Sequence, residues 1–354
     1  MIEILKMLIS EEEIDLIMAY RRKTSQTLEQ LIQSSKMSEE QILKLTKSLA
    51  NTGFIFNQPS SSGIMVYRLM PLVMVGVFEY TFMKKVEFTA DEKKLATLFG
   101  KLFEDLADFI QDNYDTIAPF FENVEPYDRT VPILDKTISG NEIQISINED
   151  LEVPEEKIML TQDVEDIIKK FDEIAVGHCF CRHHQDLLGN SCKITKLREN
   201  CFTFGKSARY CAEQGFARMI SKDEAIKILK ESEKDGLVHK TFHPATNISR
   251  DETSICNCCK DCCGTLEWWR MGVTPLINWT SYLSNVDESL CIGCGTCVEK
   301  CPVDAMSLND NNKAEVNKAL CIGCGVCAHF CPEDAISLLE GLRKVYDPLP
   351  KLRS

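Results

Sequence analysis

Nowhere does this chain run about eighteen consecutive apolar side chains, the length a membrane-spanning helix needs, so no such helix is expected in it. Its opening residues, MIEILKMLISEEE, break their apolar run with Glu3 and Lys6 and read as neither signal peptide nor membrane span. A G-x-G-x-x-G loop after a strand pattern is missing, which leaves nucleotide phosphates without a cradle. An excess of basic charge is missing too. Against 40 Lys and Arg stand 54 Asp and Glu, a formal net charge of −14, which argues against a polyanion binder. Nor does any single cysteine stand apart with a histidine and an aspartate as a catalytic nucleophile would.

What the sequence has in quantity is cysteine, 18 of its 354 residues. Apolar residues make up 44%, enough to bury a core without disulfide staples. The expected compartment is therefore the reducing cytoplasm, where such cysteines act as metal ligands or redox groups. Charge is unevenly placed. Residues 91–175 hold 8 basic against 22 acidic side chains, which is the whole imbalance. That segment reads as a solvated helical face or as a docking face for a basic partner.

Patterning predicts an α+β multidomain chain. Residues 1–90 form one domain. SEEEIDLIMAY is a first helix with Ser10 capping over Glu13, and TSQTLEQLIQSS is a second. SEEQILKLTKSLANTG is a third, with a capping box from Ser38 to Gln41 and an apolar face of Ile42, Leu45 and Leu49. FIF, the turn NQPSSSG and IMVYRL then make a two-stranded wing. This order resembles the winged helix-turn-helix domains of small prokaryotic regulators. DNA is not the expected partner, because Glu39 and Glu40 stand where a recognition helix would read bases. Residues 91–160 hold an amphipathic helix over 91–115 and an acidic, irregular surface segment. The winged helix and the 91–115 helix are candidate surfaces for a homodimer. Residues 161–283 alternate helix and strand as a small α/β cysteine-rich domain, with EIAVGHCFC read as a strand. Residues 284–340 form a last domain, and 341–354 a tail.

The last domain carries a repeat thirty residues apart, CIGCGTCVEKCPVDAMSL and CIGCGVCAHFCPEDAISL. Each copy is C-x2-C-x2-C-x3-C-P, whose closely spaced cysteines curl a loop around one cluster while glycines let amide N–H groups approach the sulfurs. Zinc is the weaker reading, since zinc ribbons pair two C-x2-C units rather than running four cysteines into a proline. The module resembles the bacterial ferredoxin with two 4Fe–4S clusters. That resemblance implies one cluster on Cys291, Cys294, Cys297 and Cys331. It implies a second on Cys321, Cys324, Cys327 and Cys301, with Pro302 and Pro332 after the crossing cysteines.

Ten cysteines remain. Cys179, Cys181, Cys192 and Cys201 form one group and Cys256, Cys258, Cys259, Cys262 and Cys263, in SICNCCKDCCG, a second. Cys211 is set aside because it lies in a helix pattern. On a strand Cys179 and Cys181 would face one side, and Arg182 beside them can donate hydrogen bonds to a sulfide-rich anion. The two groups are expected to share one or two further iron–sulfur clusters, with zinc as the alternative. Residues His178, His183, His184, His239 and His243 read as surface or hydrogen-bonding histidines rather than ligands. The whole arrangement resembles iron–sulfur proteins of anaerobes that join a winged helix, a CxCR segment, a CNCC segment and a double-cluster ferredoxin. CCG at 262–264 also resembles the cysteine-rich motif of heterodisulfide reductase subunits. The expected function is single-electron transfer with a protein redox partner, such as a larger oxidoreductase complex. Rival readings are a redox-sensing winged-helix transcription regulator and an enzyme that reduces a disulfide or small substrate at the central cluster.

Overall fold

A computed structural model describes residues 1–73, 76–85, 87–135, 143–147, 163–244 and 247–353. Much of the acidic stretch expected over 122–160 lies outside these residues. The chain divides into two compact units that interleave along the sequence, rather than into consecutive spans. Unit 1 takes Met1–Glu104, Glu173–Ser191 and Thr203–Ile220, and unit 2 takes Asp105–Asp172, Cys192–Phe202 and Ser221–Ser354. Among the described residues no helix is long and apolar enough to cross a membrane.

Unit 1 opens with a short helix, Ile2–Leu8, that the broken apolar run did not announce. Three capped helices follow, Glu11–Met18, Leu28–Ser35 and Glu39–Asn51. Each starts on a full capping box, Ser10 with Glu13, Thr27 with Gln30 and Ser38 with Gln41, which satisfies amides that the first helical turn leaves over. The strands Ile55–Pro59 and Met65–Leu69 pair antiparallel, and Ser25–Gln26 adds to the second. Leu16, Leu31, Ile42, Leu45, Leu49 and Ile55 close the core between these helices and strands. Helix spacing and the turn between the two paired strands were both legible in the sequence.

A second core in unit 1 is aromatic. Phe78 meets Phe103 edge-on at 4.8 Å and Phe99 at 5.1 Å, and His184 stands 5.2 Å from Phe78. The His184 Nε2–H donates to the Ala96 carbonyl at 2.9 Å and His183 Nδ1–H to that of Phe82 at 2.7 Å. These histidines hydrogen-bond, as expected, but are buried rather than on the surface. Burial pushes His184 down to about 4, against the pull of its bond to Ala96. Below the ordinary histidine range the unfolded chain takes up a proton that the folded one refuses. His184 therefore contributes stability above pH 6.5 that is lost as the pH falls to about 4, roughly 3 kcal/mol in all. Urea midpoints measured at pH 7 and pH 4.5 should fall more steeply for the native chain than for His184→Gln. Equal slopes would remove histidine from the account.

Unit 2 is built on a sheet. Its strands run in the order Ile145–Ile147, Ile336–Asp347, Leu276–Val286, Asp128–Val131, Val238–Phe242 and Ser254–Cys258, with the first residues of Glu199–Phe204 beyond. The two longest, Leu276–Val286 and Ile336–Asp347, pair antiparallel with a bulge between Thr280 and Tyr282 and flank the cysteine repeat. Residues 341–347, read from sequence as tail, continue the second of them. The chain beyond is tied down as well. Gln111 Nε2 donates to the carbonyls of Gly272 and Pro350, Arg353 pairs with Asp108 and Asp112 of the helix Ala90–Asp112, and Lys351 pairs with Asp115 of the next helix, Tyr114–Phe121. Part of the acidic face thus meets basic residues of its own chain, in exposed pairs that each contribute little.

Candidate metal centres

The repeat sits on two tight loops, each built on left-handed glycines. Gly293, Gly295, Gly323 and Gly325 all have φ between 62° and 76°. Space is the second reason for glycine at two of the inner positions. A Cβ on Gly323 would lie 2.1 Å from the Tyr282 carbonyl oxygen, and one on Gly325 would lie 2.4 Å from that of Ile133. The loops curl far enough for Cys291, Cys294, Cys297 and Cys331 to line one concavity, with Pro332 at its edge. Cys331 thus joins the three cysteines of the other motif.

The second set, Cys301, Cys321, Cys324 and Cys327, is buried throughout. Burial first, then the neighbouring Cys327, Cys301 and Cys321, push the Cys324 thiol well above its ordinary range. Such a cost is borne where sulfur gains a metal or hydrogen bonds. Bonds are present: the Ala305 N–H donates to Cys301 Sγ at 3.2 Å, the Ala314 N–H to Cys291 Sγ at 3.3 Å, and the Ser284 hydroxyl lies 3.1 Å from Cys327 Sγ. Donors aimed at thiolate sulfur and a glycine cradle fit a 4Fe–4S cluster in each set.

The two copies differ in exposure. Ile292 is 60% exposed and its counterpart Ile322 only 1%. Cys294 is exposed, whereas Cys324 is buried. The Ile133 N–H donates to the Cys324 carbonyl, and His329 Nδ1–H donates to that of Asp135, so a segment outside the repeat covers the second copy.

The central cysteines sort differently from the sequence grouping. Cys179 and Cys181 are not on a strand. The strand Ile174–His178 ends just before them, Cys179 caps the helix Phe180–Leu187, and Cys181 and Arg182 lie buried within it, all in unit 1. The helix signal was the three- and four-residue spacing of Phe180, His184 and Leu187. Cys211 is buried in the helix Gly205–Glu213, where burial first and then Glu79 push its thiol far up. The remaining seven belong to unit 2 and form two sets. In the first, Cys256 is hydrogen-bonded with Cys201 and Cys258, and Cys263 with Cys258; these bonds, then burial, push the Cys256 and Cys263 thiols well above their usual range. In the second, Cys192 lies 3.6 Å from Cys259, and Cys259 lies 3.1 Å from Cys262, sulfur to sulfur.

Sequence reading missed the charge beside the first set. Lys240 is 2% exposed on the strand Val238–Phe242, and its Nζ bonds Asp128 at 2.5 Å. Asp128 also accepts from Asn278 Nδ2 at 2.7 Å. Burial pulls Lys240 down, but Asp128, then Cys263 and Cys258, outweigh it and hold the ammonium above its ordinary range. Arg129 is buried one residue on and pairs with Glu252 at 3.1 Å. A lysine in the apolar run LVHKTF was the available signal. His239 Nδ1–H donates to Asn257 Oδ1 at 2.6 Å and His243 Nδ1–H to the Arg250 carbonyl at 2.6 Å.

Residues 284–338 match the family model described as a 4Fe-4S dicluster domain. The chain is 50% identical over 34 residues to "Probable ferredoxin" of Methanosarcina thermophila, a match over 10% of this chain and 59% of that protein. It is 39% identical over 66 residues to "Protein Pixie" of Drosophila melanogaster, over 17% of this chain and 10% of that protein. The chain thus spans less than two thirds of the length of either relative. The C-terminal part of unit 2 is a ferredoxin-type iron–sulfur module.

Proposed function

We propose that the chain is a multicentre electron carrier. Its ferredoxin module holds two 4Fe–4S clusters, on Cys291, Cys294, Cys297 and Cys331 and on Cys321, Cys324, Cys327 and Cys301. A third cluster is held by Cys201, Cys256, Cys258 and Cys263, beside Lys240. Clusters of this kind accept and release one electron each. The observation that carries the reading is a shared core. Cys258 and Cys263 are packed into the same buried cluster of side chains as Cys301, Cys321, Cys324 and Cys327. The central stretch is also pinned to the module: Arg270 donates to the Pro302 carbonyl at 2.8 Å, and Lys260 pairs with Asp304. A protein redox partner, in the reducing cytoplasm, meets the exposed first motif.

Full-length protein prepared without oxygen should hold about twelve irons in these three centres. The double change Cys256→Ser and Cys258→Ser should remove about four of them and leave the ferredoxin EPR signals in place. Eight irons, unchanged by that variant, would sink the third cluster.

The order of helices and strands over residues 10–69 supports a winged helix in unit 1. Its third helix starts on the exposed Glu39 and Glu40, which repel phosphate. Duplex DNA at physiological salt should bind only weakly, and submicromolar, sequence-specific binding in a gel-shift or anisotropy titration would overturn this.

A further inference from the structure

The set Cys192, Cys259 and Cys262 differs from the other cysteines in spacing. Its three sulfurs all lie within 4.8 Å of one another, and among the described residues no other three histidine, cysteine or acidic ligand atoms do so. The cysteines of the ferredoxin module do not meet that limit. A cubane explains why, since each of its thiolates binds a different iron and the cluster stands between them. A single tetrahedral ion draws its ligands closer. With Zn–S bonds of about 2.3 Å, sulfurs on one zinc stand ~3.8 Å apart. The distances of 3.6 and 3.1 Å here are close enough for one ion and leave no room for a cubane between the sulfurs.

Local structure fits the same ion. Cys259-Lys260-Asp261-Cys262 is a C-x2-C turn, the spacing of zinc knuckles. The Cys262 N–H donates to Cys259 Sγ at 3.4 Å within the turn. Asp261 accepts from the Lys193 N–H at 2.8 Å, which holds the third cysteine against the knuckle although it is 67 residues away. Leu237 and Leu197 pack behind. Among the described residues no fourth histidine, cysteine or acidic donor joins the set. Cys192 is half-buried, whereas Cys259 and Cys262 are buried.

We propose that Cys192, Cys259 and Cys262 bind one zinc ion, separate from every iron–sulfur centre, and leave its fourth position to water or another exogenous donor. A structural zinc is closed by four protein ligands, and an open position is what lets zinc bind or activate a further molecule.

The test uses the full chain, prepared without oxygen from medium containing iron and zinc. Metal analysis should give one zinc per chain, and X-ray absorption at the zinc edge should show three sulfurs and one lighter atom. Cys192→Ser should weaken zinc retention against a chelator by more than about a hundredfold. Its iron content and ferredoxin EPR signals should stay as in the native protein, which also shows that the variant is folded. Four sulfurs on the zinc would overturn the open position. Zinc-free native protein, or a loss of iron in Cys192→Ser, would overturn the site as a zinc site. The iron count attributed to the other centres is read separately, so either result leaves the electron-carrier reading to its own test.

Discussion

Gly323→Ala should cost more than about 4 kcal/mol of stability and strip the second ferredoxin cluster from the chain. Two effects add. The residue has φ 62°, a conformation that costs an alanine about 1 kcal/mol. The larger effect is steric. The new methyl would stand 2.1 Å from the Tyr282 carbonyl oxygen and 2.4 Å from Thr280 Oγ1. Both belong to the bulge in the long strand Leu276–Val286, where the Tyr282 N–H is already committed to Thr280 Oγ1 at 3.2 Å. The Tyr282 backbone, with its carbonyl carbon at 2.7 Å as well, leaves little room to give way. Gly295→Ala is the control. Its φ is 76°, but nothing lies within 4 Å of its Cβ, so only the conformational cost of about 1 kcal/mol applies. Denaturant midpoints and iron content of the two variants should differ sharply. Similar values would show that the bulge yields and that the close approach does not fix the glycine.

Lys240→Met should cost roughly 3–5 kcal/mol, because it leaves Asp128 buried with its charge uncompensated. Asn278 still donates to that carboxylate, but one amide does not replace an ammonium. The double variant Lys240→Met with Asp128→Asn should recover most of the loss, since neither charge is then buried alone. The same cation stands beside Cys258 and Cys263, so its removal should also make the proposed third cluster harder to reduce. That shift should persist in the double variant if the ammonium acts on the centre beyond its neutralising of Asp128. A single variant as stable as the native chain, by urea unfolding, would remove Lys240 from the framework of the site.

The ferredoxin module was legible because its chemistry is local. Cysteines three and four residues apart must share a loop, and Gly323 and Gly325 mark where that loop turns left-handed. The capping boxes at Ser10 and Ser38 were legible for the same reason. What the sequence hid depends on chain segments far apart. Cys192 was grouped with Cys179 and Cys181 by nearness in sequence, yet it meets Cys259 across 67 residues. Cys201 meets Cys256 because the strands that carry them belong to one sheet. The reading of EIAVGHCFC as one strand failed at its end. Alternation carried the pattern past His178, while helical spacing had already begun at Phe180. Lys240 was passed over because a lysine in a short apolar strand shows its partner, Asp128, only once the strands pair.

The unequal cover of the two motif copies gives the carrier a weak point and a safeguard in one. Oxygen reaches a centre as water does, through the side that protein leaves open. At Ile292 that side is open and at Ile322 it is shut. Brief exposure to air would therefore consume the outer centre first, the one that the proposed function gives to a redox partner. The enclosed centres would survive but lose their connection. The first motif then acts as a fuse: the carrier falls silent before its inner chemistry is harmed, and repair needs to rebuild a single, accessible cluster.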